Sequence, residues 1–208
     1  KFQLMPHKNS FYYPTYLFFL LLCNRKTKIY VNLIIDIGNT ATKIAIFEQG
    51  NIKETLRCSN QSLEGLAALC RHYAIQKGIL SSVISINETI RQQLSQLPFP
   101  ILEFTYQTSI PIRNLYQTPQ TLGVDRLAAV VAAYYQKPNC PALVIDAGTC
   151  ITYDFLDEHG QYWGGNISPG MEMRFKALHS FTDKLPYVAV SGETPLYGNS
   201  TETAIRAG

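Results

Sequence analysis

From residue 31 onward the chain alternates short apolar runs with polar turns. Residues 31–37 (VNLIIDI) are apolar and β-branched, the pattern of a buried strand. GNTA is turn-like, and TKIAIFEQG alternates into a second strand ending at Gly50. IKETLRC at 52–58 alternates again and predicts a third strand. Ser62 can cap a helix from Leu63 to about Gln76, with apolar residues at 63, 66, 67, 69, 70 and 73 and Gly78 as its stop. ILSSVIS at 79–85 reads as a strand, and Asn87 as the cap of a short helix to about Leu97. Short strands are expected at 101–104 and 108–112. Thr121 or Gly123 opens a helix, DRLAAVVAAYYQ, that stops before Pro138. Residues 141–155 predict strand, turn, strand, and residues 162–167 a third strand. Pro169 is expected to start a helix through about Phe181, and 200–208 to begin another.

The order carries more than its parts. A strand–turn–strand unit led by LIIDIGNT recurs about 110 residues later as LVIDAGTC, each followed by a third strand and then a helix. Two such units imply two related lobes with a cleft between them. Neither unit begins with the strand–helix alternation of a dinucleotide-binding fold.

Composition narrows the class. The chain has 208 residues, 46% hydrophobic and 16% charged, which excludes a disordered tail, collagen and a coiled coil. The formal charge of +3 comes from one end: residues 1–30 hold five of the 18 basic residues and no acid. Residues 31–208 carry 13 basic and 15 acidic side chains, a net −2, so no nucleic-acid surface is suggested there. The cysteines, Cys23, Cys58, Cys70, Cys140 and Cys150, are odd in number and form no CxxC pair. Reduced thiols in a cytoplasmic protein are expected, rather than a disulfide framework or a zinc site.

The first thirty residues do not match the rest. YLFFLLLC at 16–23 is too short for a membrane span, which needs about 20 apolar residues. Lys1 and Lys8 precede it as in a signal peptide, yet NRKTK follows where a small-residue cleavage site would stand. Residues 1–30 are therefore expected to be a non-native or disordered extension, with Val31 as an alternative start.

Four segments carry candidate chemistry. In DIGNTATK (36–43), Asp36 ends an apolar strand, where a carboxylate is costly without a function. Gly38 permits a tight turn and close approach of a ligand to the backbone. Asn39 and Thr40 offer donors to phosphate oxygens, Lys43 can reach the same anion, and Mg²⁺ bridges phosphates to carboxylates. DAGTC (146–150) repeats the pattern, so two hairpins can grip a triphosphate or its metal from both ends. No GxxxxGK[ST] motif occurs, which excludes a P-loop site. GVDR (123–126) opens a helix. Its Asp125 has two readings, a complement to the helix dipole or a base for a substrate hydroxyl. Arg126 can hold a carboxylate or phosphate. In YWGGNISPGMEMRFKAL (162–178), Gly164, Gly165 and Gly170 fit a substrate-lining loop or a plain helix-entry turn.

DIGNTATK, GVDR, DAGT, GGNISPGMEMRFKAL, LP at 185–186 and GNST at 198–201, in that order, resemble the type III pantothenate kinase family over residues 31–208. The family belongs to the acetate-and-sugar-kinase/actin-like superfamily. The resemblance implies an α/β fold of duplicated actin-like, ribonuclease-H-like lobes, each a mixed sheet with helices, and ATP-dependent phosphorylation of pantothenate to 4′-phosphopantothenate. This is the first step of coenzyme A biosynthesis. Carried over by position, Asp36, Ile37, Gly38, Asn39, Thr40, Ala41, Thr42 and Lys43 resemble the ATP-phosphate loop, and Thr149 an ATP contact. Asp125 resembles the proton acceptor. Tyr116, Gly123, Val124, Asp125, Arg126 and Thr201 resemble the pantothenate contacts, and Asp146 the monovalent-cation ligand. Mg²⁺ or a similar divalent ion, K⁺ or NH₄⁺, a homodimer and a cytoplasmic location are implied with them, and neither nucleic acid nor membrane.

The expected division is an extension at 1–30, an N-terminal lobe at 31–120, and a linking helix with a C-terminal lobe at 121–208 that continues beyond Gly208. Three rival readings share part of the pattern: another actin-like small-molecule kinase, a related non-catalytic transcriptional accessory factor, and a structural filament protein. The first would lack GVDR and the GGNISPGMEMR segment. The second is disfavoured by intact Asp36, Lys43, Asp125 and Asp146, and the third would need more chain.

Overall fold

The computed structural model describes residues 31–49, 51–191 and 194–208, so the expected extension at 1–30 lies outside the described residues. The first sheet is built from β1 (Val31–Ile37), β2 (Thr42–Glu48), β3 (Asn51–Cys58), β4 (Ile75–Ser82) and β5 (Ile101–Glu103). Its strand order is β3-β2-β1-β4-β5, with β2 antiparallel to both β1 and β3, and with β4 parallel to both β1 and β5. Helices α1 (Leu66–Arg71) and α2 (Glu88–Ser95) connect β3, β4 and β5. The second sheet has β6 (Arg113–Asn114), β7 (Ala142–Ala147), β8 (Cys150–Leu156) and β9 (Gln161–Pro169), in the order β6-β9-β8-β7. Helix α3 (Val124–Gln136) lies between β6 and β7 in sequence, and α4 (Met171–Ser180) and α5 (Thr201–Ala207) follow.

The period of two along each strand divides the core. On β1, Leu33, Ile35 and Ile37 join α1 and α2 through Leu66, Leu69 and Ile90 in one cluster. Ile34 points the other way and joins Ala45, Ile79 and Phe104 against α3 and the Leu156 and Tyr162 side chains of the second sheet. Helix α3 can sit that deep because its face is small: Ala128, Ala129, Val130, Val131 and Ala132 are all buried. Each fully buried Ile or Leu in these clusters contributes roughly 1.5–3 kcal/mol. Asp36 lies two residues beyond Ile34, so it shares the face turned toward α3. Its register partners, Lys43 on β2 and Ser81 on β4, fall in the same row.

Several boundaries differ from the sequence expectation, each for a tertiary reason. The helix expected to reach Gln76 ends at Arg71, because Ile75 already pairs with Val31 in the sheet. The Gln76 side chain accepts a hydrogen bond from the Val31 amide at 2.9 Å. Gly78 is not a helix stop; it lies inside β4, where a Cβ would run into the Ile101 side chain. No strand forms at 108–112. Arg113–Asn114 instead pairs in parallel with Gln161–Tyr162, which puts it in the second sheet, ahead of the expected lobe boundary after residue 120. Pro169 ends β9 opposite Cys150, and α4 starts at Met171 behind Gly170. Asn87 caps α2 as expected, its side chain accepting from the Ile90 amide at 2.9 Å. No helix among the described residues is long and apolar enough to cross a membrane.

Candidate active site

The turn between β1 and β2 is closed by a hydrogen bond from the Gly38 amide to the Ala41 carbonyl, 3.1 Å. Below it, Asp36 is 6% exposed and accepts a 2.9 Å hydrogen bond from Ser81 Oγ. Asn60 braces the turn from outside: its Nδ2 donates to the carbonyls of Gly38 (2.8 Å) and Asn39 (2.9 Å), while its Oδ1 accepts from Thr42 Oγ1 (3.3 Å). This polar clasp was missed by sequence reasoning, since Asn60 follows the third strand with no motif around it. Asn39 and Thr40 stand exposed at the tip, and Ile37 and Thr42 are buried at its base.

The turn between β7 and β8 faces it. Thr40 Oγ1 and Thr149 Oγ1 lie 3.1 Å apart, a direct contact between the two Asp-x-Gly turns. The second turn is braced by its own backbone, Gly148 amide to Cys150 carbonyl at 2.9 Å, and by the Gly170 amide donating to the Thr149 carbonyl at 3.0 Å. A Cβ on Gly170 would collide with the carbonyl oxygens of Gly148 and Thr149, so glycine there lets α4 begin directly against the turn. Gly170 thus has a definite role, a close backbone approach.

Asp125 sits in the first turn of α3, which Gly123 opens. Its Oδ1 accepts from the Arg126 amide at 2.8 Å. A Cβ on Gly123 would lie 2.5 Å from that same oxygen, so the glycine of GVDR makes room for the carboxylate. Asp125 Oδ2 makes no hydrogen bond among the described residues. Asp146, at the end of β7, is exposed at the surface of the second sheet. Its pKa is raised above the ordinary carboxylate value by desolvation first and then by the charges of Asp125 and Asp154, with Lys43 opposing them. The charges felt at Asp146 come from Lys43 of the first hairpin, Asp125 of GVDR and Asp154 on β8. The paired turns meet at the Thr40–Thr149 contact, and the charge at the start of α3 is felt at Asp146.

Arg126 behaves differently from an open anion receptor. It is 6% exposed and tied to Asp154, itself 1% exposed, by Nε at 3.1 Å to both carboxylate oxygens and by Nη2 at 2.6 Å. Tyr162 donates to the same Asp154 Oδ1 at 2.7 Å. Burial works to lower the Arg126 pKa, but the hydrogen bonds and charge of Asp154 outweigh it and hold the group cationic. Burial and the Asp154 carboxylate raise the Tyr162 pKa, which keeps the phenol protonated. Tyr116 lies flat against Tyr162, with ring centroids 6.2 Å apart and planes within 8°, and the Arg126 guanidinium carbon is 5.7 Å from its ring centre. Gly164, at φ +100°, leaves room for the Tyr116 ring. Thr201 is the first residue of α5, exposed, with Ser200 as a capping residue. Ile205 of the same helix packs against Phe175 of α4.

The donor set suits an anionic nucleotide carrying a divalent ion. A lysine, exposed Asn and Thr side chains and open turn backbone can hold phosphate oxygens, with carboxylates at both sides. Among the described residues, no group of three or more His, Cys, Asp or Glu is placed to hold a metal ion alone. Such an ion would share its ligands between protein and phosphates.

Two mixed sheets with matching Asp-x-Gly turns closing over a shared helix define the actin-like class of fold. A model of the type III pantothenate kinase family matches residues 32–208, and the chain belongs to that family. A type III pantothenate kinase of Phocaeicola vulgatus is 62% identical over 178 residues, 86% of this chain and 74% of the relative. Type III pantothenate kinases of Bacteroides fragilis and Christiangramia forsetii are 56% and 43% identical, covering 86% of this chain in both and 73% and 74% of theirs.

Proposed function

We propose that this protein transfers the γ-phosphoryl group of ATP to the primary hydroxyl of pantothenate. The new P–O bond forms at that hydroxyl, the bond to the β-phosphate oxygen breaks, and ADP leaves. The observation that carries the reading is the 3.1 Å Thr40–Thr149 contact, which brings the two Asp-x-Gly turns face to face. Phosphoryl transfer asks little covalent chemistry of a protein; positioning and charge neutralisation dominate.

In this reading residues 36–43 and Thr149 hold the phosphates, with Lys43 supplying positive charge. Asp36, the carboxylate nearest the first turn, would help hold a divalent ion bound with the nucleotide, which would neutralise phosphate charge. Asp125 accepts the hydroxyl proton through its open Oδ2, with Gly123 and Val124 shaping the approach and Tyr116 and Thr201 contacting pantothenate. Arg126 acts from behind this surface, as its buried pairing supports. Asp146 holds K⁺ or NH₄⁺, for which its exposure at the end of β7 is suited. The reading divides the described chain into two lobes at the entry to α3. It takes the enzyme as a homodimer working in the cytoplasm, where ATP is supplied, with no nucleic-acid or membrane partner.

A coupled ADP-release assay tests it, with pantothenate set against a panel of sugars and acetate. Turnover with pantothenate alone is expected. Asp125→Asn should keep the fold, by circular dichroism, and lower kcat by about 10²–10⁴-fold, the usual range for a lost proton acceptor. Near-normal turnover in that variant would remove Asp125 from the role.

A further inference from the structure

We infer that Asp154 is a positioning residue for the pantothenate side of the site, acting through Arg126 and Tyr162 on Asp125 and Tyr116. The inference rests on the functional reading above. Asp154 is a carboxylate buried on β8, in a place where an apolar side chain would be cheaper. Replacing a buried ion pair by well-packed apolar groups is often neutral or stabilising, so stability alone is a weak account of it. Its contacts supply a better one. Three hydrogen bonds run from Arg126, across from β8 to α3, and one from Tyr162, across from β8 to β9.

Both partners lead directly to the site. Arg126 is the next residue after Asp125, and its amide holds Asp125 Oδ1 at 2.8 Å, so fixing the guanidinium fixes the first turn of α3. Tyr162 is the flat support of Tyr116, which also lies 5.7 Å from the guanidinium carbon. One carboxylate thereby sets the orientation of two substrate-side groups carried by separate segments. None of its four hydrogen bonds reaches the β1–β2 turn. A defect at Asp154 is thus expected to fall on pantothenate and to spare ATP.

The test is steady-state kinetics of the full chain with Asp154→Asn, which keeps the shape, removes the charge and turns a donor toward a donor. The KM for pantothenate is expected to rise about 10-fold, in line with a lost charge-assisted hydrogen bond, while the KM for ATP stays within about 2-fold. Tyr162→Phe keeps the ion pair and drops one bond; a rise of about 3-fold in the same KM is expected. The double variant should be no worse than Asp154→Asn alone, because both act through one carboxylate. Equal rises in both KM values, or a lower melting temperature with both KM values unchanged, would overturn the inference. If Asp154→Asn does not fold, Tyr162→Phe decides: a selective rise upholds the role and unchanged kinetics refutes it. Wild-type protein that does not turn over pantothenate would fail the functional reading itself, a separate outcome.

Discussion

The two Asp-x-Gly turns share a sequence pattern but occupy opposite environments. Asp36 ends β1, the central strand of its sheet, with all seven strand residues buried. Asp146 ends β7, which among the described residues is an edge strand, with Leu143 57% and Ile145 48% exposed on its outward face. A neighbouring strand gives Asp36 the hydroxyl of Ser81; β7 has β8 on one side and no described strand on the other. The motif specifies the local turn, and the position of the strand in the sheet decides whether its carboxylate is a buried, fixed acceptor or an open one available to an ion.

The sharpest way to break this comparison is to truncate one strand of each pair. Ile34 is fully buried and packed toward α3, whereas Ile145 is half exposed. Ile34→Ala is expected to cost about 2–5 kcal/mol by urea denaturation, as for a cavity in a packed core. Ile145→Ala should stay within about 0.5 kcal/mol, as surface substitutions do. Equal losses would mean that the second sheet is packed on both faces in solution.

A smaller contrast separates the glycines that support the two turns. Gly170→Ala drives a Cβ into the carbonyls of Gly148 and Thr149, and about 1–3 kcal/mol is expected from the forced backbone shift, with a higher KM for ATP. At Gly38 the nearest atom to an added Cβ is the Ala41 oxygen at 3.3 Å, so Gly38→Ala should cost under about 1 kcal/mol. Differential scanning calorimetry of the pair checks the order; a larger loss at Gly38 would reverse the assignment of which turn is the tighter.

Much of this architecture was legible in the chain. The run VNLIIDI and the repeat at LVIDAG specified β1 and β7 and the likeness of the two sheets, because a buried strand is a local apolar pattern. GVDR placed Asp125 at the start of α3 for the same kind of reason, a turn glycine before an apolar helix. The shortened α1 and the strand at Arg113–Asn114 were not legible. Pairing with distant strands overrode local propensity at Ile75 and at Arg113. Asn60 and Asp154 were invisible for a related reason: each is defined by partners 18 or more residues away, or across a sheet, and carries no motif of its own. The sequence reading gave Arg126 a carboxylate or phosphate to hold; that its guanidinium pairs with the buried Asp154 only the packing could reveal.

The finest distinction is between the two aspartates themselves, where one substitution is expected to have opposite signs. Asp36→Asn weakens a buried acceptor of the Ser81 hydroxyl and should cost about 1–2 kcal/mol. Asp146 has a folded-state pKa raised above the ordinary value, by desolvation and by Asp125 and Asp154. The folded protein therefore binds that proton more tightly than the unfolded chain does. The stability associated with it is complete below the unfolded pKa, about pH 4, and is lost as pH rises through the raised folded value. At pH 7 the carboxylate is ionised against its surroundings, and Asp146→Asn removes that cost. Its melting temperature, in buffer free of K⁺ and Mg²⁺, should exceed that of the wild type at pH 7 and converge with it near pH 3.5, while stimulation by K⁺ over Na⁺ is lost. A fall at pH 7 matching that of Asp36→Asn would mean that both carboxylates are buried acceptors, and would leave Asp146 without the openness that the cation role requires.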